Sequence, residues 1–468
     1  MHYSHEDENF PLTRFESMLK TNDILFFDSG EFENIIHHYL ENGKIALAKK
    51  AIKLGLAQHP TSVNLRLFQV EILVIENKFS EADDILAMLH DVEPNNEEIY
   101  IQKANVLSKQ DKHEEAINTL LIAVDISSTP EDDSDLFALI GMEYLFLDQF
   151  ENAVIYFKKC LETDNTDYSA LHNIVYCYDF LNQNDEAITY LNNFLDKNPY
   201  CEVAWHQLGR QYFNIKEYSK ANAAFDFAII SDDTFVNAYL EKGKVLEKLK
   251  LYDEAIENYK ITLAIDEPTS FALLRIGHCY EKIGQEELAL QFFKKTVEED
   301  VLLDKGWIAI TKFYMKRLNY QKALHYINKA VNIDGENVLY WKLFATVNKR
   351  LNFLEEAEQG YKRALELGNY ELETWIDRSD ILTALGEYNA AIFNLIQAAE
   401  FYPENPEIEY RLGGLYFKTH ESDKGRFHLK NGLRIDFDYN FIISELFPRL
   451  MERPMIRTII AESKRISN

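Results

Sequence analysis

Four cysteines are all that this chain of 468 residues contains, and Cys160, Cys177, Cys201 and Cys279 form no CxxC pair and no short ligand spacing. Neither a zinc site nor a disulfide framework can be built on them, so they are expected as reduced thiols in a core. Long apolar runs are missing too: no stretch approaches the ~20 continuous residues needed to span a bilayer. The segment Met1 to Leu12 lacks a basic stretch followed by an apolar one, which excludes a secretory signal there. A cytoplasmic protein with no membrane insertion is the expectation. Positive charge is in deficit, since 49 Lys and Arg against 77 Asp and Glu give a formal charge of −28. Such a chain repels phosphate backbones, which argues against nucleic acid as a partner wherever no local basic stripe intervenes.

Catalytic signatures are wanting as well. No G-x-x-x-x-G-K-[ST] loop occurs, and Gly243 and Lys244 fall inside a helical pattern rather than a phosphate cradle. No H-E-x-x-H occurs; His37 and His38 are adjacent, so they point to different faces of a helix and cannot share a metal. The carboxylate pairs Glu114 with Glu115 and Glu286 with Glu287 sit where helices are predicted to begin, a place that favours negative charge. No catalytic residue, metal or cofactor is expected, and the chain reads as a non-enzyme.

What the sequence does hold is a repeat. One alanine recurs with a 34-residue step as Ala48, Ala82 and Ala116, then Ala153, Ala187, Ala221, Ala255, Ala289, Ala323, Ala357 and Ala391, with Gly425 in the twelfth place. A three-residue surplus between Ala116 and Ala153 falls in the acidic stretch Ser127 to Asp135 and is expected as a loop insertion. With the alanine at position 20, each unit holds two stretches with apolar residues at i, i+3, i+4 and i+7 around a polar turn, which predicts a helical hairpin. Small residues mark close helix approach: Gly141, Gly209, Gly243, Gly277 and Gly413 at position 8, and alanines such as Ala228 and Ala330 at position 27. Proline closes several units at position 32, as at Pro60 and Pro199.

Trp205, Leu208, Gly209, Tyr212, Ala221, Phe225 and Ala228 together spell W-x2-L-G-x2-Y … A-x3-F-x2-A. This pattern, at a period of 34, resembles the tetratricopeptide repeat family over residues 29 to 439. The resemblance implies an all-α fold, a right-handed α-solenoid of about twelve helix-turn-helix units. It implies a capping helix and linker over 1–28, twelve units over 29–439 and capping helices over 440–468. All four tryptophans, Trp205, Trp307, Trp341 and Trp375, fall at position 4, which the family fills with core.

The resemblance further implies that the first helix of each unit lines a concave groove, with positions 2, 5, 6, 9 and 13 facing a ligand. Position 9 runs His37, Glu71, Asn105, Met142, Tyr176, Arg210, Lys244, His278 and Lys312 through the first nine units, and position 13 gives Lys248, Lys282, Lys316 and Arg350 in units seven to ten. Arg275 and Lys305 lie in the same region. The partner-binding groove is therefore expected at Tyr176, Arg210, Lys244, Lys248, Arg275, His278, Lys282, Lys305, Lys312 and Lys316. Its ligand would be a protein or peptide of acidic character, unless neighbouring acids such as Glu247 and Glu281 neutralise the stripe. The carboxylate clamp of chaperone-binding relatives is not reproduced: Asn173 stands at position 6, but the unit before it supplies Ala138 and Met142 where the clamp needs Lys and Asn. An interaction scaffold or adaptor is the expectation; the alternatives are an RNA-binding helical-repeat protein and a non-catalytic subunit of an enzyme complex.

Overall fold

The computed structural model describes residues 10–21, 25–127, 129–265 and 269–467. Most of Met1 to Leu12, read above from sequence, lies outside them. The chain divides into two compact units, Met1–Ala238 and Tyr239–Asn468.

In the first unit α1 (Phe10–Thr21) precedes α2 (Ser29–Glu41), α3 (Ile45–Gln58), α4 (Val63–Ile75), α5 (Phe79–Val92), α6 (Glu97–Ser108) and α7 (His113–Ile126). It continues with α8 (Pro130–Phe146), α9 (Phe150–Thr163), α10 (Tyr168–Phe180), α11 (Asn184–Lys197), α12 (Glu202–Asn214) and α13 (Tyr218–Ser231). The division falls in the first turn of α14 (Val236–Lys248), after which come α15 (Tyr252–Ile265), α16 (Ser270–Lys282), α17 (Glu286–Glu299), α18 (Asp304–Lys316) and α19 (Tyr320–Ile333). The chain ends with α20 (Val338–Leu351), α21 (Leu354–Glu366), α22 (Leu372–Leu385), α23 (Tyr388–Phe401), α24 (Pro406–Lys418), α25 (Ser422–Ile435), α26 (Phe441–Leu446) and α27 (Pro454–Ser467). From α2 to α25 these are tandem hairpins of an α-solenoid, and no strand occurs among the described residues.

The reason for the 34-residue step is packing. The repeated alanine is wholly buried from Ala48 through Ala391, in the second helix of each hairpin. Opposite it the position-8 glycine admits an aromatic ring: a Cβ on Gly209 would stand 2.6 Å from Phe225, and one on Gly277 2.5 Å from Phe293. Phe157, Phe225, Phe293 and Tyr361, all at position 24, are at most 1% exposed. Each such ring contributes roughly 1.5–3 kcal/mol by leaving water.

The turn between the two helices repeats as closely. Position 15 is left-handed in hairpin after hairpin, at Gly43, Asn77, Asp111, Asp148, Asn182, Lys216, Lys250, Gly284, Leu318, Asn352, Gly386 and His420. Such a residue turns the chain back and frees the following N–H for the helix end, as where Asn319 N–H donates to the Tyr314 carbonyl at 2.9 Å.

Two expectations are corrected. The acidic surplus does not open a loop. It lengthens α8, which has 17 residues where α6 has 12 and α10 has 13. Pro130 is tolerated as the first helical residue because no intrahelical partner exists there for an N–H, and Asp133 N–H donates to the Thr129 carbonyl at 3.2 Å. The tryptophans are not uniformly core, since only Trp375 is buried, at 4% exposure. Trp205, Trp307 and Trp341 are half-buried, and each donates its indole N–H across 2.8 Å to a carbonyl of the preceding turn, at Pro199, Val301 and Gly335. Position 4 thus fixes the path of the chain from one hairpin into the next.

At the N-terminus Phe15 and Met18 of α1 pack with Phe27, Phe32 and Tyr39 into the first core cluster. At the other end Ile442, Ile443, Phe447, Leu450, Ile456 and Ile459 close the last hairpin. Phe441 and Leu446 remain 47% and 39% exposed. All four cysteines are free and buried, and burial pushes the thiols of Cys160 and Cys279 up to about 12 and that of Cys177 up to about 11.

Candidate functional site

In the second unit the first helices α16 and α18 enclose a cavity of about 340 Å³. Phe271, Leu274, Ile308 and Ala309 supply its apolar wall; Arg275, His278, Lys305 and Lys312 supply its polar one. Four of the ten residues expected in the groove are therefore brought together around one space.

Their charges are not equally available. Arg275 is committed to Glu247 on α14, with Nε 2.8 Å from Oε1 and Nη2 2.5 Å from Oε2. Tyr259 donates its hydroxyl to the same carboxylate at 2.7 Å, and burial, with Glu247 adding, raises its phenol above the ordinary range. His278 Nδ1 lies 3.4 Å from Glu281 Oε2. Burial lowers its imidazole below the ordinary 6.5, although Glu281 draws the other way. The two acids that sequence reading named as neutralisers, Glu247 and Glu281, do pair with stripe residues. Lys244 Nζ is 2.6 Å from Glu241 Oε1 and 5.3 Å over the Phe271 ring. Lys316 is held 2.8 Å from Glu286, which also takes Arg317. Lys248, Lys282, Lys305 and Lys312 are exposed and have no ion pair among the described residues. Of these, Lys305 and Lys312 border the cavity.

Tyr176 and Arg210 belong to the first unit. Arg210 on α12 is exposed and donates to the Gln207 side chain at 3.2 Å, and with burial its charge lowers the imidazole of His172. Tyr176 on α10 is 53% exposed and stands 6.4 Å, ring to ring, from both Phe150 and Phe180.

Two features escaped a sequence reading keyed to positive charge. The first is an aromatic and methionine patch: Leu139, Met142 and Phe146 on α8, and Tyr176 and Phe180 on α10, are 39–58% exposed. Phe146 is stacked on His113 at 5.1 Å, with His113 Nδ1 2.8 Å from Glu143, and Phe180 is stacked at 4.1 Å on the buried Phe150. The second is an acidic cavity of about 190 Å³ between α2, α4 and α6, walled by Leu67 and Phe68 and rimmed by Glu33, Glu71 and Glu98. Burial and the neighbouring Glu98 push the Glu71 carboxyl up. Glu71 and Met142 both stand at position 9, so the signal was present, but only alignment of successive helices shows that such residues adjoin.

Among the described residues no group of three His, Cys, Asp or Glu side chains is placed to hold a metal ion, and no helix is long and apolar enough to cross a membrane.

The position-8 and position-24 contacts, the repeated left-handed turn and the tandem hairpins define a tetratricopeptide-type solenoid. Residues 134–167, 168–199, 236–266 and 272–300 each match the family model of the tetratricopeptide repeat, so the chain carries tetratricopeptide repeats in both of its units. Over 101 residues, 22% of this chain, it is 26% identical to TPR repeat protein oca3 of Schizosaccharomyces pombe (strain 972 / ATCC 24843). That match spans 36% of the relative's length. Among solved structures it is similar to a chain of the APC/C hetero-tetramer Cut9-Hcn1, at 12% identity and a TM-score of 0.38, over 86% of this chain and 92% of that one. It is also similar to YrrB, described as a TPR protein with an unusual peptide-binding site, at 16% identity and a TM-score of 0.32, over 38% of this chain and 92% of that one.

Proposed function

We propose that this protein is a non-catalytic interaction scaffold of the cytoplasm that holds an acidic segment of a partner protein, with the cavity between α16 and α18 as the principal seat. The observation that carries this reading is the pairing of an apolar wall with free cations: Lys305 and Lys312 border a cavity of about 340 Å³ whose wall includes Phe271 and Ile308. An aspartate or glutamate flanking a leucine or phenylalanine satisfies both halves of such a site. Because Arg275 and Lys244 already have carboxylate partners, the net attraction rests on the two free lysines and is screened over ~8 Å at physiological salt.

The test uses a labelled peptide of about 12 residues, rich in Asp and Glu around one Leu and one Phe, and its charge-reversed counterpart. The acidic peptide is expected to bind the intact chain and to weaken about 10-fold or more on Lys305→Glu with Lys312→Glu. Equal binding by wild type and the double variant would sink the reading.

A further inference from the structure

The first unit carries a second lane whose chemistry is the reverse of the cavity just described. Three carboxylates, Glu33, Glu71 and Glu98, rim the space between α2, α4 and α6, and no Lys or Arg side chain lines it. Their hydrogen bonds come from neutral groups: Asn64 donates to Glu33 at 3.2 Å and Gln102 to Glu98 at 2.9 Å. Leu67 and Phe68 form the wall. An aliphatic stem lying on these two residues with its ammonium or guanidinium at the rim would meet complementary groups at both ends, as lysine and arginine side chains do elsewhere on mixed surfaces.

The adjoining helices continue the lane with a different character. α6 and α8 share one core cluster through Ala104, Leu136 and Ile140, and α8 and α10 share the next through Ala138, Leu145 and Leu171. On α8 the exposed Leu139, Met142 and Phe146 follow one another at i, i+3 and i+7, and on α10 Tyr176 and Phe180 follow at i and i+4, so each set forms a single ridge. Five large apolar side chains side by side on two neighbouring helices form a patch of the kind that marks an interaction surface. Methionine and aromatics suit such a surface, since the thioether adapts its shape and the rings lose little entropy on contact.

Acidic rim and apolar ridges together select one kind of occupant. We infer that the α2–α10 lane is a second docking surface, for a segment of another protein in which leucine or aromatic side chains lie next to lysines or arginines. The apolar anchors rest on Met142, Phe146, Tyr176 and Phe180, and the cationic side chains reach Glu33, Glu71 and Glu98. A formal charge of −28 draws such a segment in from a distance. This surface shares with the proposed acidic-peptide seat only the premise that first helices face partners; its residues are all different.

The probes are two fluorescent peptides of about 18 residues and identical composition, one an amphipathic helix of Leu and Lys, the other the same residues scrambled. The patterned peptide is expected to bind the full chain at least about 10-fold more tightly than the scrambled one, the excess that a patterned surface adds to plain charge attraction. Glu33→Gln, Glu71→Gln and Glu98→Gln combined, and separately Met142→Ala with Tyr176→Ala, are each expected to remove most of that preference. Glu→Gln keeps side-chain size, and circular dichroism melts confirm that the hairpins remain folded. Lys305→Glu with Lys312→Glu, which tests the acidic-peptide seat, is expected to leave this binding unchanged. Equal affinity of the two peptides, unchanged affinity in both first-unit variants, or loss in the Lys305 and Lys312 variant would each overturn the assignment and leave only general attraction to an acidic protein.

Discussion

Phe447 lies with its ring against Gly414, so close that a methyl group on the glycine would overlap it. Gly414 is position 9 of the last hairpin, the place held upstream by Tyr176, Arg210 and Lys312. There the chain's own segment after α25 covers the position-9 side of α24, and Phe447 is only 3% exposed. Gly414→Ala is expected to cost about 1–3 kcal/mol by overpacking, and Phe447→Ala about 3–5 kcal/mol by leaving a cavity. Since hairpins of a solenoid contact mainly their neighbours, the loss should be local. Hydrogen exchange should quicken in α24–α27 and stay unchanged in α2–α13; uniform quickening would contradict a local lock.

Arg411 is nearly buried and ties three elements together. Its guanidinium pairs with Asp380 on α22 and lies 2.9 Å from Glu407, which also accepts the Tyr439 hydroxyl at 3.2 Å. Burial pushes the Asp380 carboxyl up, while Arg411 pulls it down. Arg411→Ala would leave the half-buried Asp380 without its principal partner, a loss of about 1–3 kcal/mol. Adding Asp380→Asn to that variant should recover part of the loss in thermal denaturation. No recovery would mean that the stem of Arg411, not its charge, supports the hairpins.

Leu318 occupies the left-handed turn position with φ 57°, where its sister hairpins use Gly, Asn or Asp in eight cases. It is 73% exposed, so no packing compensates the strained backbone. Leu318→Asn or Leu318→Gly should therefore stabilise the chain by about 0.5–1 kcal/mol. A fall in Tm for both variants would show that Leu318 makes an interaction worth more than its strain.

His278 gives the acidic-peptide seat a pH dependence of definite sign. Burial holds its imidazole below 6.5, so it is largely neutral at pH 7. An anionic segment in the cavity favours the charged form, so binding takes up a proton and affinity rises as pH falls from about 7 to about 5.5, before the peptide's own carboxylates protonate. Titration of the acidic peptide should show that rise in wild type and a flatter profile in His278→Gln. The same shift implies that the free protein loses stability as pH falls through 6.5, because the unfolded chain then takes the proton more readily.

The sequence by itself determined the hairpins, because each is specified by local residue choices at fixed spacing. The buried alanine, the glycine facing an aromatic ring and the polar turn recur every 34 residues and act within one hairpin. Legibility failed where a residue's partner lies on the next hairpin. Arg275 and Lys305 look alike as basic residues of one stripe, yet Glu247, 28 positions upstream of Arg275, takes up the first and leaves the second free. The acidic stretch Ser127 to Asp135 reads as a loop in the sequence, and the fold instead starts α8 within it at Pro130. Which cations stay unpaired, which ridges stay bare and where the chain's own Phe447 covers a position-9 residue are decided by the stacking of successive helices. That stacking sets distances between residues about one repeat apart, which no periodic pattern in the sequence records.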